Sequence, residues 1–233
     1  MRFLSILFTL LCIGTSAIAG TYDGLWIGEI KINNVSEAVS KTDATTPVPV
    51  ANPFLMKIIL HVDASNQIRL LRDVTIMQKR YTENNVEMVK RVLVTDNTLL
   101  PNFEGVVRRD GDLVGIRIGS LAFDFDPDLN AFLVDGTFGA GRTISVSLPL
   151  VEDHPTNPFM HKYHPDHVKG KAISRSISLK FDTVQDTNDP ASGQSQLIGM
   201  FQESVTGLHK AAINAEGRFV LKRVSLIANL NDQ

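Results

Sequence analysis

The sequence predicts an all-β fold, a single-domain antiparallel barrel or sandwich of about ten strands with two long loops. Three observations carry this expectation. Apolar and polar residues alternate with period two, as in LWIGEIKI (25–32), where Trp26, Gly28, Ile30 and Ile32 fall on one face. Short breaks rich in Gly, Asn, Asp and Ser separate such runs at hairpin spacing. No stretch sustains a 3.6-residue period long enough to make a convincing long helix. A chain of 233 residues suits one all-β domain, since these often run to roughly 200–250.

Taken in order, the run at 25–32 opens the domain. NNVSEAVSKTDATTPVPVANP (33–53) is polar, closes with prolines and reads as the first long loop. FLMKIILHVD (54–63) and QIRLLRDVTIMQ (67–78) flank Ala64-Ser65-Asn66 as a hairpin. VEMVKRVLVTD (86–96) supports two readings. Val86, Val89 and Leu93 suit a helix face, whereas the β-branched content suits a strand. Arg109-Asp110-Gly111-Asp112 is a turn signal between strands at 104–108 and 112–118, and SLAFDFD continues the pattern. FLVDGTFGAG and RTISVSLPLV make the next pair, over 132–150. Gly136, Gly139 and Gly141 between them fit a bulge or tight hairpin. The second long loop, 151–171, precedes AISRSISLKFDT (172–183), SQLIGMFQESVTG (195–207) and INAEGRFVLKRVSLI (213–227).

The N-terminus reads as a secretory signal peptide over 1–19. Arg2 precedes an apolar run from Phe3 to Ile13, and Ala17-Ile18-Ala19 has the A-x-A form that signal peptidase cuts after. The run is too short for a bilayer anchor. The expectation is an exported protein, periplasmic or secreted, whose single β-rich domain covers 20–233. Cys12, the only cysteine, lies inside the signal, so the mature core holds together without a disulfide. The chain carries 23 basic and 25 acidic residues; removing Arg2 leaves 22 against 25, a net of −3. That balance argues against nucleic acid or anionic membrane as a partner. No later apolar stretch could form a transmembrane helix. The few aromatics form no girdles of the kind outer-membrane barrels carry.

Chemistry concentrates in HPTNPFMHKYHPDHVKGK (154–171), which holds four of the six histidines. His161, His164 and His167 recur at every third residue, with Asp166 between the last two. Zinc accepts imidazole and carboxylate, so this quartet is the candidate metal site. Pro165 opposes a helix there, and convergence would need a tight loop. The simpler reading makes Asn157-Pro158 and His164-Pro165-Asp166 turn formers, with Phe159 and Tyr163 pinning the loop to the domain. Phe159 and Tyr163 are also the candidate ligand- or partner-binding residues. Nucleophilic catalysis has little support: the mature chain has no thiol and no G-x-S-x-G. Ser145 and Ser147 are near the loop in sequence only. Asp124, Asp126 and Asp128 alternate with Phe123 and Phe125 as a solvated strand edge would; an oxygen-lined Ca²⁺ site is the alternative.

Several pieces together resemble a module of secreted bacterial proteins: GLWIGEIKINNVSEAV, FLMKIILHVDASNQIRLL, RVLVTD, NPFMHKYHPDH and LIGMFQESVTGLHKAAINAEGRFVLKRVS. The resemblance implies an exported bacterial β-domain with no assigned activity and supplies no catalytic residues. In that module another acidic or amide residue is expected after HPDH, where this chain has Val168-Lys169-Gly170. A second resemblance is to lipocalin-like barrels, through Gly24-Leu25-Trp26. It implies a late-strand arginine packed across Trp26, with Arg223 as the candidate. The functional expectation is a non-catalytic binding module that meets a protein, glycan or small ligand through its long loops. The alternatives are a metal-binding protein or metal-dependent hydrolase built on the His quartet, and a carrier of a small apolar ligand.

Overall fold

A computed structural model describes residues 22–38, 43–105, 107–109, 112–119, 132–154, 157–160, 170–183, 191 and 193–232. The signal-peptide expectation for 1–19 falls outside them. The strands are β1 (Gly24–Val35), β2 (Val48–Val62), β3 (Ile68–Leu70), β4 (Asp73–Glu83) and β5 (Val86–Val94), then β6 (Val107–Arg109), β7 (Asp112–Val114) and β8 (Ile116–Gly119). They continue with β9 (Phe132–Gly136), β10 (Thr143–Leu150), β11 (Ile173–Phe181), β12 (Gln196–Thr206) and β13 (Ile213–Ser225). A short 3-10 helix, Asn97–Asn102, is the helix among the described residues; none there is long and apolar enough to cross a membrane.

Eight strands close a barrel in the order β1-β13-β12-β11-β10-β9-β3-β2. Every neighbouring pair is antiparallel. Of the two expected architectures, barrel and sandwich, the ring selects the barrel. Each strand follows its sequence neighbour around the wall, except that the chain leaves after β3 and returns at β9. The excursion contributes a small sheet, β5-β4-β8, and the pair β6-β7.

The strand period decides what fills the barrel. Ile30, Ile32, Ile58, Leu60, Ile177, Leu179, Phe201, Phe219 and Leu221 point inward and are almost wholly buried. Each such side chain contributes about 1.5–3 kcal/mol of burial. Inside the wall, the space between Ile58, Leu60, Leu70, Val134, Ile144 and Leu179 is about 10 Å³, roughly room for one water.

Two expectations about the elements need correction, and one left open is decided. The first long loop is shorter than 33–53, because β1 runs to Val35 and β2 starts at Val48. Pairing resumes at Asn34↔Pro49 beyond an irregularity after Ile32↔Phe54, so the β-branched Val48 and Val50 act as strand residues. The run 67–78 is two strands. Leu70 ends the part held in the barrel; from Asp73 the chain joins β5 and β8 instead. For 86–96, the strand reading holds. Asn84 and Asn85 adopt φ of 50° and 63°, a two-residue hairpin turn that pairs β5 with β4 throughout.

The excursion sheet packs on the outside of the barrel. Leu71, Val74 and Leu93 bury against the outward faces of Leu25 and Ile59. The C-terminal tail straps the two layers together. Leu230 bridges Leu93, and the Asn231 side chain accepts from the Thr95 N–H and donates to the Thr95 hydroxyl.

Candidate functional site: the loop end of the barrel

The antiparallel wall sorts the connections by end. The starts of β1 and β10 and the ends of β2 and β13 lie at one end; the β1–β2, β10–β11 and β12–β13 connections lie at the other. Both long loops, 36–47 and 151–172, therefore emerge from the same end.

The opposite end is plugged by aromatics. Trp26 is fully buried, donates its indole N–H to the Tyr22 carbonyl at 2.8 Å, and packs 5.0 Å from Phe138. The Arg223 guanidinium sits 5.4 Å from the Trp26 ring, and the two residues are register partners. This is the contact that the lipocalin-like resemblance implied. Arg223 also donates to the Asp23 carbonyl. Gly139, at φ +132°, passes so close to the Tyr22 ring that a Cβ would lie 2.5 Å from it. The β9–β10 turn is thus the tight glycine hairpin expected at Gly136, Gly139 and Gly141.

The loop end is built differently. Arg175 and Glu203 occupy inward positions in β11 and β12, among Ile173, Ile177, Leu197 and Phe201. Their side chains are 8% and 7% exposed, and Arg175 Nε donates to Glu203 Oε1. Arg175 Nη2 also reaches Met56 Sδ at 3.9 Å, on β2 at the far side of the ring. The pair bars the lumen just below the rim.

Above this bar each long loop is gathered at a neck. Ser36 donates its N–H to the Asn214 carbonyl and accepts from the Asn214 N–H, both at 2.8 Å. Glu37 N–H donates to the Thr45 hydroxyl at 2.8 Å, which draws the two sides of the first loop together. In the second loop the organiser is Asn157, 2% exposed. Its amide donates to the Val151 carbonyl at 2.9 Å and the Lys171 carbonyl at 2.7 Å; its oxygen accepts from the Phe159 N–H at 2.8 Å. Lys171 N–H closes the neck on the Phe159 carbonyl at 2.9 Å. At Gly170 a Cβ would meet the Met160 carbonyl oxygen at 2.4 Å, so only glycine lets the returning chain pass.

Among the candidate partner-binding residues, Phe159 lies half-buried in this neck, and Tyr163 is outside the described residues. His161, His164, Asp166 and His167 are also outside them, as are Asp124, Asp126 and Asp128. Among the described residues, no group of three His, Cys, Asp or Glu side chains is placed to hold a metal. Ser145 and Ser147 are exposed on the outer wall of β10, opposite Ser178 and Ser176 of β11.

Three polar residues escaped the sequence reading. Arg175 and Glu203 interrupt the apolar phase of two clean alternations, ISRSISLKF and QLIGMFQESVT, and that interruption was the available signal. The third, His61, is fully buried between the barrel and the tail. Its Nε2 lies 3.0 Å from the Ile227 carbonyl, while Nδ1 has no partner among the described residues. Burial lowers its pKa below the ordinary histidine value, and the nearby Arg69 charge adds to that. The Ile227 carbonyl, Asp63 and Asp23 pull the other way.

No protein-family model matches the chain, and no curated protein matches it.

Proposed function

We propose that this chain is an exported bacterial binding module, acting without catalysis, whose recognition surface is the loop end of the barrel. The observation that carries the reading is topological. The two loops 36–47 and 151–172 emerge from one end; the opposite end is plugged by Trp26 and Phe138 and carries the β11–β12 connection, 182–195. Function concentrates on loops held by a rigid scaffold, and each loop here is held at its neck by buried or reciprocal hydrogen bonds. The Arg175–Glu203 bar and the filled wall beneath it favour a protein or glycan resting on the rim over a small ligand inside.

The test presents the mature chain, immobilised, to exported proteins and glycans of its own organism. A species retained by wild type and lost when 161–169 is replaced by a Gly-Ser linker, at unchanged melting temperature, supports the reading. Equal capture by both forms refutes it.

The neck favours one further reading. Residues 161–169 leave from Met160 and return at Gly170, which are in contact. His161, His164, Asp166 and His167 lie in sequence between these two contacting residues, and zinc accepts imidazole and carboxylate ligands. Zinc titration of the purified protein, read by melting temperature, tests it.

A further inference from the structure

The β4–β5 hairpin projects beyond the sheet that roots it. From Arg80 to Glu83 and from Val86 to Val89 its residues are exposed, including Tyr81, Val86, Met88 and Val89, the last at 50%. A two-stranded ribbon alone is marginally stable in water, and this one leaves apolar side chains uncovered. We propose that the outer edge of β5 pairs antiparallel with the same edge of a second copy, about a two-fold axis at Val89.

The backbone offers the edge. Antiparallel strands turn alternate residues inward and outward. On β4, Gln78 exchanges outward bonds with Glu104, at 2.6 and 2.8 Å, and its partner on β5 is Arg91. On β5, Leu93 turns its carbonyl outward to the Asn231 N–H. Alternation then places outward N–H and C=O groups at Arg91, Val89 and Glu87. Beyond Val92 the edge is occupied, because Leu230 of the tail bridges Leu93. Among the described residues the open edge runs from Val86, beside the turn, to Val92, and its midpoint is Val89.

The charges select the same register. Centred on Val89, the pairing sets Glu87 opposite Arg91 of the second copy, twice by symmetry. Centring on Glu87 or on Arg91 opposes like charges. Centring on Met88 sets Glu87 opposite Val89 and Arg91 opposite Asn85, and centring on Lys90 sets Arg91 opposite Val89 and Glu87 opposite Leu93, so neither pairs the two charges. Edge strands are ordinarily guarded by proline, bulges or charge of one sign. This edge carries opposite signs placed symmetrically about its midpoint, which makes it complementary to itself; Glu87 accepts from Arg80 of its own hairpin at 2.9 Å, and Arg91 of the second copy would join that pair. The contact is independent of the loop end, so it can hold whether or not the loops bind a partner.

The experiment is sedimentation velocity on the mature chain, from micromolar to near-millimolar concentration at low salt. Wild type should show a monomer–dimer equilibrium that weakens with salt. Glu87→Arg and Arg91→Glu should each weaken it by roughly tenfold or more, since one reversal creates two like-charge pairs. An equimolar mixture of the two variants should restore dimer at least to the wild-type level, because every pair across that mixed interface is again unlike. Both side chains are exposed, so circular dichroism should show unchanged folds. A wild type that stays monomeric throughout overturns the proposal. So does a dimer indifferent to either reversal, or a mixture of variants that fails to associate.

Discussion

Asn157→Ala removes three hydrogen bonds at the neck of the second loop, those to the Val151 and Lys171 carbonyls and that from the Phe159 N–H; the Val151 carbonyl keeps the His154 N–H at 3.1 Å. A net hydrogen bond is worth about 1 kcal/mol, so a neck that stays dry loses about 3 kcal/mol. If water enters the opened neck, part of that loss returns as hydration and the chain keeps its global stability. Two measurements separate these outcomes. Urea unfolding reads the global loss, and amide exchange at Phe159 and Lys171 reads local opening. Asn157→Asp sharpens the test. Ionised aspartate keeps the acceptor for Phe159 but turns an oxygen toward two carbonyl oxygens; protonated aspartate can donate to one of them. The folded-state pKa of that carboxyl should therefore rise, and the variant should be less stable at pH 8 than near pH 4 relative to wild type. A change below about 0.5 kcal/mol in Asn157→Ala, with exchange unaltered, would show that the neck does not hold the loop.

The other expectations rest on single sites. His61 has a folded pKa below the unfolded value near 6.5, so the unfolded chain takes up a proton that the folded chain refuses. Its contribution is complete above pH 6.5 and is lost as pH falls below it, by up to about 1.4 kcal/mol per pH unit; urea unfolding of wild type and His61→Gln should diverge in that window, and parallel curves would refute this. Arg223→Leu should cost about 0.5–2 kcal/mol and shift the emission of Trp26, the only tryptophan; an unchanged spectrum would deny the stacking. Replacing Arg175 and Glu203 together by methionine should cost less than Glu203→Met alone, which removes the carboxylate that Arg175 Nε donates to and should cost about 3–5 kcal/mol. If zinc binds the second loop, alanine at His161, His164 and His167 should remove the metal-induced rise in melting temperature and leave the metal-free value unchanged.

Most of the barrel was legible because period two was written plainly. From β10 onward the expected strands match within a residue or two, and Trp26, Phe219, Leu221 and Arg223 share the inward face as read. Closure was not legible: alternation says which face is buried but not whether the last strand returns to the first, and that depends on pairing between β1 and β13. The excursion was hidden in QIRLLRDVTIMQ. Its hydrophobicity is continuous, but Leu71 is fully buried outside the barrel while Leu70 is buried inside it. A one-residue change of side leaves no mark in composition. At the loop end the histidines drew the attention that belonged equally to Asn157. Its role comes from burial against Val151 and Lys171, and the sequence separation of these partners conceals it.

The two ends of the barrel have different physical characters, and the difference bears on which of them meets a partner. At the tryptophan end, aromatic rings pack edge to face at 4.9 to 5.8 Å, and the turn between β9 and β10 is short and glycine-shaped. That end is held by ring packing together with the Arg223–Trp26 contact and the hydrogen bonds of Trp26 and Arg223. At the loop end the lumen is barred by a buried ion pair, which contributes little net stability because desolvation offsets its attraction. An apolar pair of the same volume would serve the barrel as well. If a partner rests on the loop end as proposed, the Arg175–Glu203 pair places charge directly beneath it, under two loops gathered at their necks.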